Sequence, residues 1–108
     1  MAESYMSRRL AVDGIHLHVR SGGSGPPVLL LHGFAETGAM WDPLLPLLAR
    51  EHTVIVPDLR GAGDSDKPEG GYDKAGMARD MHGLVRRLGL EQPVRVVGHD
   101  IGMMVAYA

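Results

Sequence analysis

The sequence predicts an α/β protein with a doubly wound, largely parallel sheet, and three observations lead to this fold class. Two short strand patterns surround the dipeptide Asp13-Gly14, which favours a tight hairpin because Asp-Gly adopts positive φ angles easily. Beyond the hairpin, short runs that are apolar at consecutive positions alternate with segments of helical periodicity. Strands buried on both faces have this uninterrupted apolar character. Right-handed crossovers then join strand, helix, strand, helix, strand and the start of a helix into one sheet.

The first buried strand is predicted at residues 28–33, and a helix is predicted after it. The helix shows an apolar stripe at positions i, i+3, i+4 and i+7, formed by Trp41, Leu44, Leu45 and Leu48. Such a stripe is typical of a helix packed on a sheet. Pro46 weakens the prediction, because proline lacks an N–H for the helix interior. We expect Trp41 to be a packing anchor.

The second buried strand is predicted at residues 53–58 and a longer helix from Asp73 onward. One face of that helix is apolar, with Met77, Met81, Leu84, Val85 and Leu88. Gly89 is its expected end. In the polar loop between strand and helix, the acidic residues and Arg60 are expected to form ion pairs that hold the loop. A third strand at residues 93–100 and a helix at 101–108 complete the predicted order.

Composition excludes several classes of function. The 108 residues, 44% of them hydrophobic, form one globular unit spanning 1–108. With 11 Lys and Arg against 13 Asp and Glu, the chain has no charge excess for nucleic acid or a membrane surface, so a small-molecule partner is expected. The lack of cysteine and of clustered histidines predicts no metal and no cofactor, and His16 and His18 are expected to face solvent. No signal or membrane-spanning segment is recognised, which predicts a cytoplasmic protein.

Asp100 is the main candidate for a catalytic residue. It stands in a tight turn between an apolar strand and a helix, with Gly98 and Gly102 two positions to either side. Such a turn pushes its central side chain clear of the sheet, and small neighbours make room for it. The N–H of Ile101 and the positive end of the helix favour an ionised carboxylate there. The alternative is an ordinary Asp that caps the helix.

Three segments together are similar to the amino-terminal half of the α/β-hydrolase fold: "LLLHGF", "VPDLRGAGDSDKP" and "VVGHDIG". The Asp in the last segment narrows the resemblance to epoxide hydrolases and their dehalogenase relatives, over residues 9–108. The resemblance implies that the N–H groups of Phe34 and Ile101 form an oxyanion hole. It also implies that His32 and Gly33 shape the first loop. Ala35 departs from the family, which usually has proline there.

The resemblance implies an ester mechanism. A carboxylate that attacks an epoxide carbon forms a stable alkyl ester, whereas a serine is suited to acyl carbonyls. Water activated by a histidine then hydrolyses the ester. That histidine and its acid partner must come from a remaining part of the same hydrolase, because the eight residues after Asp100 contain neither. The expected substrate is therefore a small-molecule epoxide.

Two alternatives stay open. One is a haloacid or haloalkane dehalogenase with the same nucleophile. Relatives of that kind place Trp or Arg directly after the Asp, and this chain has Ile101. The other is a non-catalytic relative of the fold that binds a ligand or a partner. Such a protein does not need a strained turn at Asp100.

Overall fold

The protein opens with an antiparallel hairpin. The computed structural model describes residues 5–12, 14–33, 37–70, 72–90, 93–99, 102 and 105. Strand β1 (Met6–Val12) pairs with β2 (Ile15–Gly23) in a register that sets Val12 against Ile15. Gly14 has a φ of 85° in the turn, a backbone conformation that glycine adopts without strain. The predicted hairpin is therefore confirmed, although Asp13 lies outside the described residues.

Within the described residues, five strands form one mixed sheet in the order β1-β2-β4-β3-β5. Strands β3 (Pro27–Leu31), β4 (Thr53–Pro57) and β5 (Arg95–Gly98) are parallel to one another, and β2 runs antiparallel to β4. The hairpin thus extends a parallel sheet at one side. Because β3 lies between β4 and β5, the carboxyl ends of the three parallel strands are neighbours.

At β3 and β4 both faces of the sheet are covered, as the apolar runs predicted. Along β3, Leu29 and Leu31 face one hydrophobic cluster, whereas Val28 and Leu30 face the other. The first cluster includes residues of helix α2 (Lys74–Leu88), and the second includes Trp41 and residues of the short helix α1 (Leu45–Leu48). The alternation follows from the two-residue period of a strand.

The predicted helix around residues 41–48 is wrong in two respects. A 3-10 helix (Gly38–Trp41) and the separate helix α1 take its place, and Leu44 is 44% exposed. Pro46 stands in the first turn of α1, where proline needs no N–H partner, so the helix begins there. The apolar stripe is thereby reduced to Trp41, Leu45 and the half-buried Leu48.

Helix α2 agrees with its prediction at both ends. Asp73 caps it by accepting a hydrogen bond from the N–H of Gly76 at 3.4 Å, and Gly89 follows as the C-cap. Met77, Met81 and Leu84 are buried in the first cluster. Their packing, together with the cap, explains why this segment forms the longest described helix.

Strand β5 lies at the edge of the described sheet. Val96 and Val97 are each 44% exposed, and a cleft of about 580 Å³ lies between β5 and α2. Its described lining is largely apolar and includes Met81, Val85, Val94, Val96 and Val105. None of the predicted site residues is among the described residues that line it. In the part of the chain that the structure describes, no helix has both the length and the apolar character needed to cross a membrane.

Candidate active site

The loops that follow β3, β4 and β5 meet at one edge of the sheet. His32 and Gly33 follow β3, Asp58 follows β4, and His99 follows β5. In doubly wound sheets, ligands bind beyond the carboxyl ends of parallel strands. The predicted site residues therefore belong to adjacent loops.

The turn after β5 packs directly on the end of β3. The N–H of His99 donates to the carbonyl of Leu31 at 3.1 Å, and the N–H of Gly102 donates to the carbonyl of His99 at 2.9 Å. A Cβ on Gly102 would overlap the carbonyl oxygens of Leu31 and His32, so only glycine permits this approach. Gly98 ends β5.

Three predicted residues lie outside the described residues. They are the candidate nucleophile Asp100 and the candidate oxyanion donors Phe34 and Ile101. The structure therefore describes the frame of the site: His32 and Gly33 on one side, and His99 and Gly102 on the other. Of the helix predicted at 101–108, Gly102 and Val105 are described and are helical.

His32 is buried, and both of its ring nitrogens are in hydrogen bonds. The N–H of Leu59 donates to Nε2 at 2.9 Å, and Nδ1 lies 2.9 Å from the carbonyl oxygen of Gly33. A nitrogen that accepts from an N–H carries no proton, so Nδ1 donates to the carbonyl of Gly33. The ring thus links the loop after β3 to the loop after β4, with neither nitrogen left to act as a general base.

Asp58 is the centre of a second link between these loops. Its side chain is buried, and Oδ1 accepts from the N–H of Gly38 at 2.7 Å. Oδ2 accepts from Nδ1 of His18 at 2.9 Å and from the N–H of Asp64 at 3.1 Å. Burial by itself raises the pKa of Asp58, but the hydrogen bonds from Gly38, Asp64 and His18 outweigh it, so the pKa lies below its usual value.

Ser7 extends this network to strand β1, since its Oγ lies 2.6 Å from Nε2 of His18. The prediction that His18 faces solvent is therefore wrong, because the ring lies between Ser7 and Asp58; His16 is exposed. Hydroxyl, imidazole and carboxylate follow one another as in a hydrolytic triad. Ser7, however, lies within a regular strand, where successive N–H groups point in opposite directions and do not converge on an oxyanion. We interpret the network as structural.

Among the described residues, one group has ligand atoms close enough together to hold a cation. It consists of His18, Asp58 and Asp64, with one ligand atom each within 4.8 Å of one another. Oδ2 of Asp58 already accepts from the His18 ring and from the N–H of Asp64. These hydrogen bonds place the ring of His18 and the backbone of Asp64 next to Asp58, which explains why the three residues lie close together.

Ion pairs with Arg9 and Asp80 also fix the loop after β4, in part as predicted. Asp66 contacts Arg9 at 2.6 Å and accepts from the N–H of His16 at 2.8 Å. The N–H of His16 and the Arg9 guanidinium hold the pKa of Asp66 below its usual value. Arg60 forms an ion pair with Asp80 of α2, a residue outside the loop. The predicted cluster is corrected in that respect.

The sequence reasoning included Asp58 among the acidic residues expected to fix the loop, but it missed its partner His18, and it missed Asp80 as the partner of Arg60. Along β2, His18 alternates with the buried Leu17 and Val19, so the strand period predicts that its side chain lies on the face opposite to theirs. The pairing of β2 with β4 then brings this face to Asp58, and it joins residues 30 to 38 positions apart. A local pattern carries no signal for such a contact.

Comparisons with known proteins agree with this arrangement. A family described as "alpha/beta hydrolase fold" matches residues 26–108. A soluble epoxide hydrolase from Corynebacterium sp. (strain C12) is 43% identical over 99% of this chain and 37% of its own length. A fluoroacetate dehalogenase from Burkholderia sp. is 45% identical over 94% of this chain and 35% of its own length.

Solved structures give the same result. The epoxide hydrolase CorEH without ligand superposes with a TM-score of 0.93 at 43% identity, over 96% of this chain and 36% of that protein. Epoxide hydrolase VrEH1 from Vigna radiata superposes with a TM-score of 0.90 at 38% identity, over 95% of this chain and 34% of that protein. The chain thus spans about a third of the length of these relatives. It belongs to the α/β-hydrolase fold family and forms the amino-terminal part of that fold.

Proposed function

We propose that the complete enzyme containing this chain opens epoxides to vicinal diols, with Asp100 as the nucleophile. The observation that supports this most is the contact between the turn after β5 and the end of β3, made by the His99 N–H with Leu31 and by the close approach of Gly102 to His32. Asp100 stands between these two contact points in the sequence. The similar soluble epoxide hydrolase of Corynebacterium supports the same substrate class.

In the first step, a carboxylate oxygen of Asp100 attacks a ring carbon of the epoxide. The bond between this carbon and the ring oxygen breaks, and the oxygen, which stays bonded to the other ring carbon, becomes an alkoxide that takes up a proton. The product is an alkyl ester on Asp100. No proton has to leave the nucleophile, because a carboxylate is ionised at neutral pH.

In the second step, water attacks the carboxyl carbon of the ester after a histidine removes its proton. The N–H groups of Phe34 and Ile101 stabilise the resulting oxyanion. The bond between this carbon and the alkyl oxygen then breaks, and the alkyl oxygen takes the proton that the histidine had removed from water, which releases the diol. Asp100 retains one oxygen from water. The histidine, its acid partner and the donor to the ring oxygen belong, in this proposal, to the remaining part of the hydrolase.

A dehalogenase is the second candidate, and the fluoroacetate dehalogenase at 45% identity supports it. Ile101 argues against it, because its side chain has no N–H to hold a halide or a substrate carboxylate. A non-catalytic binding protein is the third candidate. The close approach of Gly102 to Leu31 and His32 argues against it, because a protein that only binds a ligand does not need such a tight turn.

The test measures diol formation from styrene oxide by the full-length enzyme, with halide release from a bromoalkane and from fluoroacetate as the competing reactions. A single turnover in ¹⁸O-labelled water, followed by mass spectrometry of the peptide with residue 100, should find the label in Asp100 and an unlabelled diol. Asp100→Ala should abolish turnover, whereas the exposed Glu69→Gln serves as the control. Label in the first-turnover diol would replace the ester mechanism with direct attack by water. Halide release at or above the epoxide rate would favour the dehalogenase.

A further inference from the structure

We propose that Asp58 is a positioning residue for the hydrolysis of the ester, and this role rests on the proposed function. Asp58 and its neighbour Leu59 hold the loop after β3 at both of its described ends. At one end the N–H of Leu59 donates to His32, whose other nitrogen contacts the carbonyl of Gly33. At the other end the N–H of Gly38 donates to Oδ1 of Asp58 at 2.7 Å. Phe34 follows Gly33 directly in the chain between these two points.

The carboxylate of Asp58 is itself fixed. Its residue is 6% exposed, and Oδ2 accepts from Nδ1 of His18 and from the N–H of Asp64. An ionised carboxylate that is buried keeps its charge because such donors replace water. The position of Oδ1 is therefore fixed, and the hydrogen bond from the Gly38 N–H holds this end of the loop at a constant distance from β4.

This restraint matters in one of the two chemical steps. During ring opening, negative charge develops on the epoxide oxygen and leaves Asp100. During hydrolysis, negative charge develops on the carboxyl oxygen of residue 100, which the N–H of Phe34 has to meet. A displaced donor therefore slows hydrolysis more than ring opening, because a misplacement of about 1 Å can cost on the order of a hundredfold.

Two substitutions alter the hydrogen bond between the Gly38 N–H and Asp58, one at each partner. Asp58→Asn replaces one acceptor oxygen by an NH₂ group, so either the Gly38 N–H or the His18 and Asp64 donors lose their partner. Gly38→Ala leaves Asp58 intact, but its Cβ would lie 3.1 Å from Oδ1 of Asp58 and 2.9 Å from Cγ1 of Val56. The matched control is Asp66→Asn, because Asp66 ties the same β4 loop to the hairpin through Arg9 and the N–H of His16.

The experiment uses rapid quenching of the full-length enzyme with styrene oxide and intact-mass detection of the ester. Ring opening and ester hydrolysis are measured as separate rate constants, so a smaller folded fraction does not alter their ratio. Asp58→Asn and Gly38→Ala should lower the hydrolysis rate by about 10- to 100-fold. The ester should then accumulate, with ring opening changed by less than about threefold, and Asp66→Asn should keep the original ratio.

Two results would overturn this role in different ways. If the ester forms but the ratio of the two rates stays unchanged in both variants, Asp58 does not position the site, and the proposed function stands. If the unmodified enzyme forms no ester on residue 100, the proposed function fails and the role of Asp58 fails with it.

Discussion

Arg60 and Asp80 form a two-point ion pair that is almost completely buried. Nε of Arg60 lies 2.7 Å from Oδ2 of Asp80, and Nη2 lies 2.8 Å from Oδ1, with the side chains 9% and 1% exposed. The pair joins the loop after β4 to helix α2. Arg60 also donates to the carbonyl of Gly70 at 2.7 Å, which closes the loop on itself.

Removal of one partner from this pair should be costly. Asp80→Asn removes the charge that Asp80 supplies to the buried guanidinium, and we expect a loss of about 3 kcal/mol in the free energy of unfolding. Urea denaturation of the full-length enzyme measures it. The exposed pair of Arg9 and Asp66 is the control, and Arg9→Gln should change stability little. Equal effects of the two substitutions would show that burial does not strengthen the first pair.

Stability should depend on pH through Asp58. Its folded-state pKa lies below the usual value of 3.8, so its contribution is present above that value and is lost as the pH falls through the folded pKa. Asp58→Asn does not titrate there. We expect it to cost about 2 kcal/mol at pH 7, from the loss of buried hydrogen bonds, and the difference from the unmodified protein should shrink below pH 3.8. Urea unfolding at both pH values checks this, and a constant difference would contradict it.

Gly102→Ala should disrupt the site because its Cβ would overlap the carbonyl oxygens of Leu31 and His32. The turn after β5 would have to move away from β3, and we expect activity to fall at least about tenfold, since small displacements of reacting groups are costly. Gly70→Ala is the matched control, with no atom within 4 Å of its Cβ. Diol formation and thermal unfolding of both variants provide the test. Full activity of Gly102→Ala would mean that the contact is dispensable.

Ile101→Trp should distinguish the epoxide hydrolase hypothesis from the dehalogenase hypothesis. The substitution keeps the backbone N–H, so it should cost less than the roughly 3 kcal/mol in the barrier that follows removal of an oxyanion donor. The indole N–H gives a halide a donor that isoleucine lacks. Epoxide turnover should therefore fall moderately through crowding, and bromide release from a bromoalkane should rise. A complete loss of epoxide turnover would indicate that the side chain at 101 lines the substrate site.

The sequence by itself determined the fold class, the hairpin at Gly14, helix α2 with both of its ends, and the two-sided burial of β3 and β4. These features depend on short-range causes: turn conformations, caps and the periods of apolar residues. The motif segments, taken together, also led to the α/β-hydrolase fold. The exposed Leu44 and the divided helix before β4 show where periodicity was insufficient, because Pro46 decided where α1 begins.

Only the tertiary structure decided which polar residues hold the loops together. The sheet order places β2 beside β4 and β3 between β4 and β5, and this order brings His18 to Asp58 and His32 to Leu59. Arg60 meets Asp80 because α2 packs back on the sheet. Such contacts join residues 20 or more positions apart. They depend on strand order and helix packing, which the whole chain determines and which no local pattern of residues encodes.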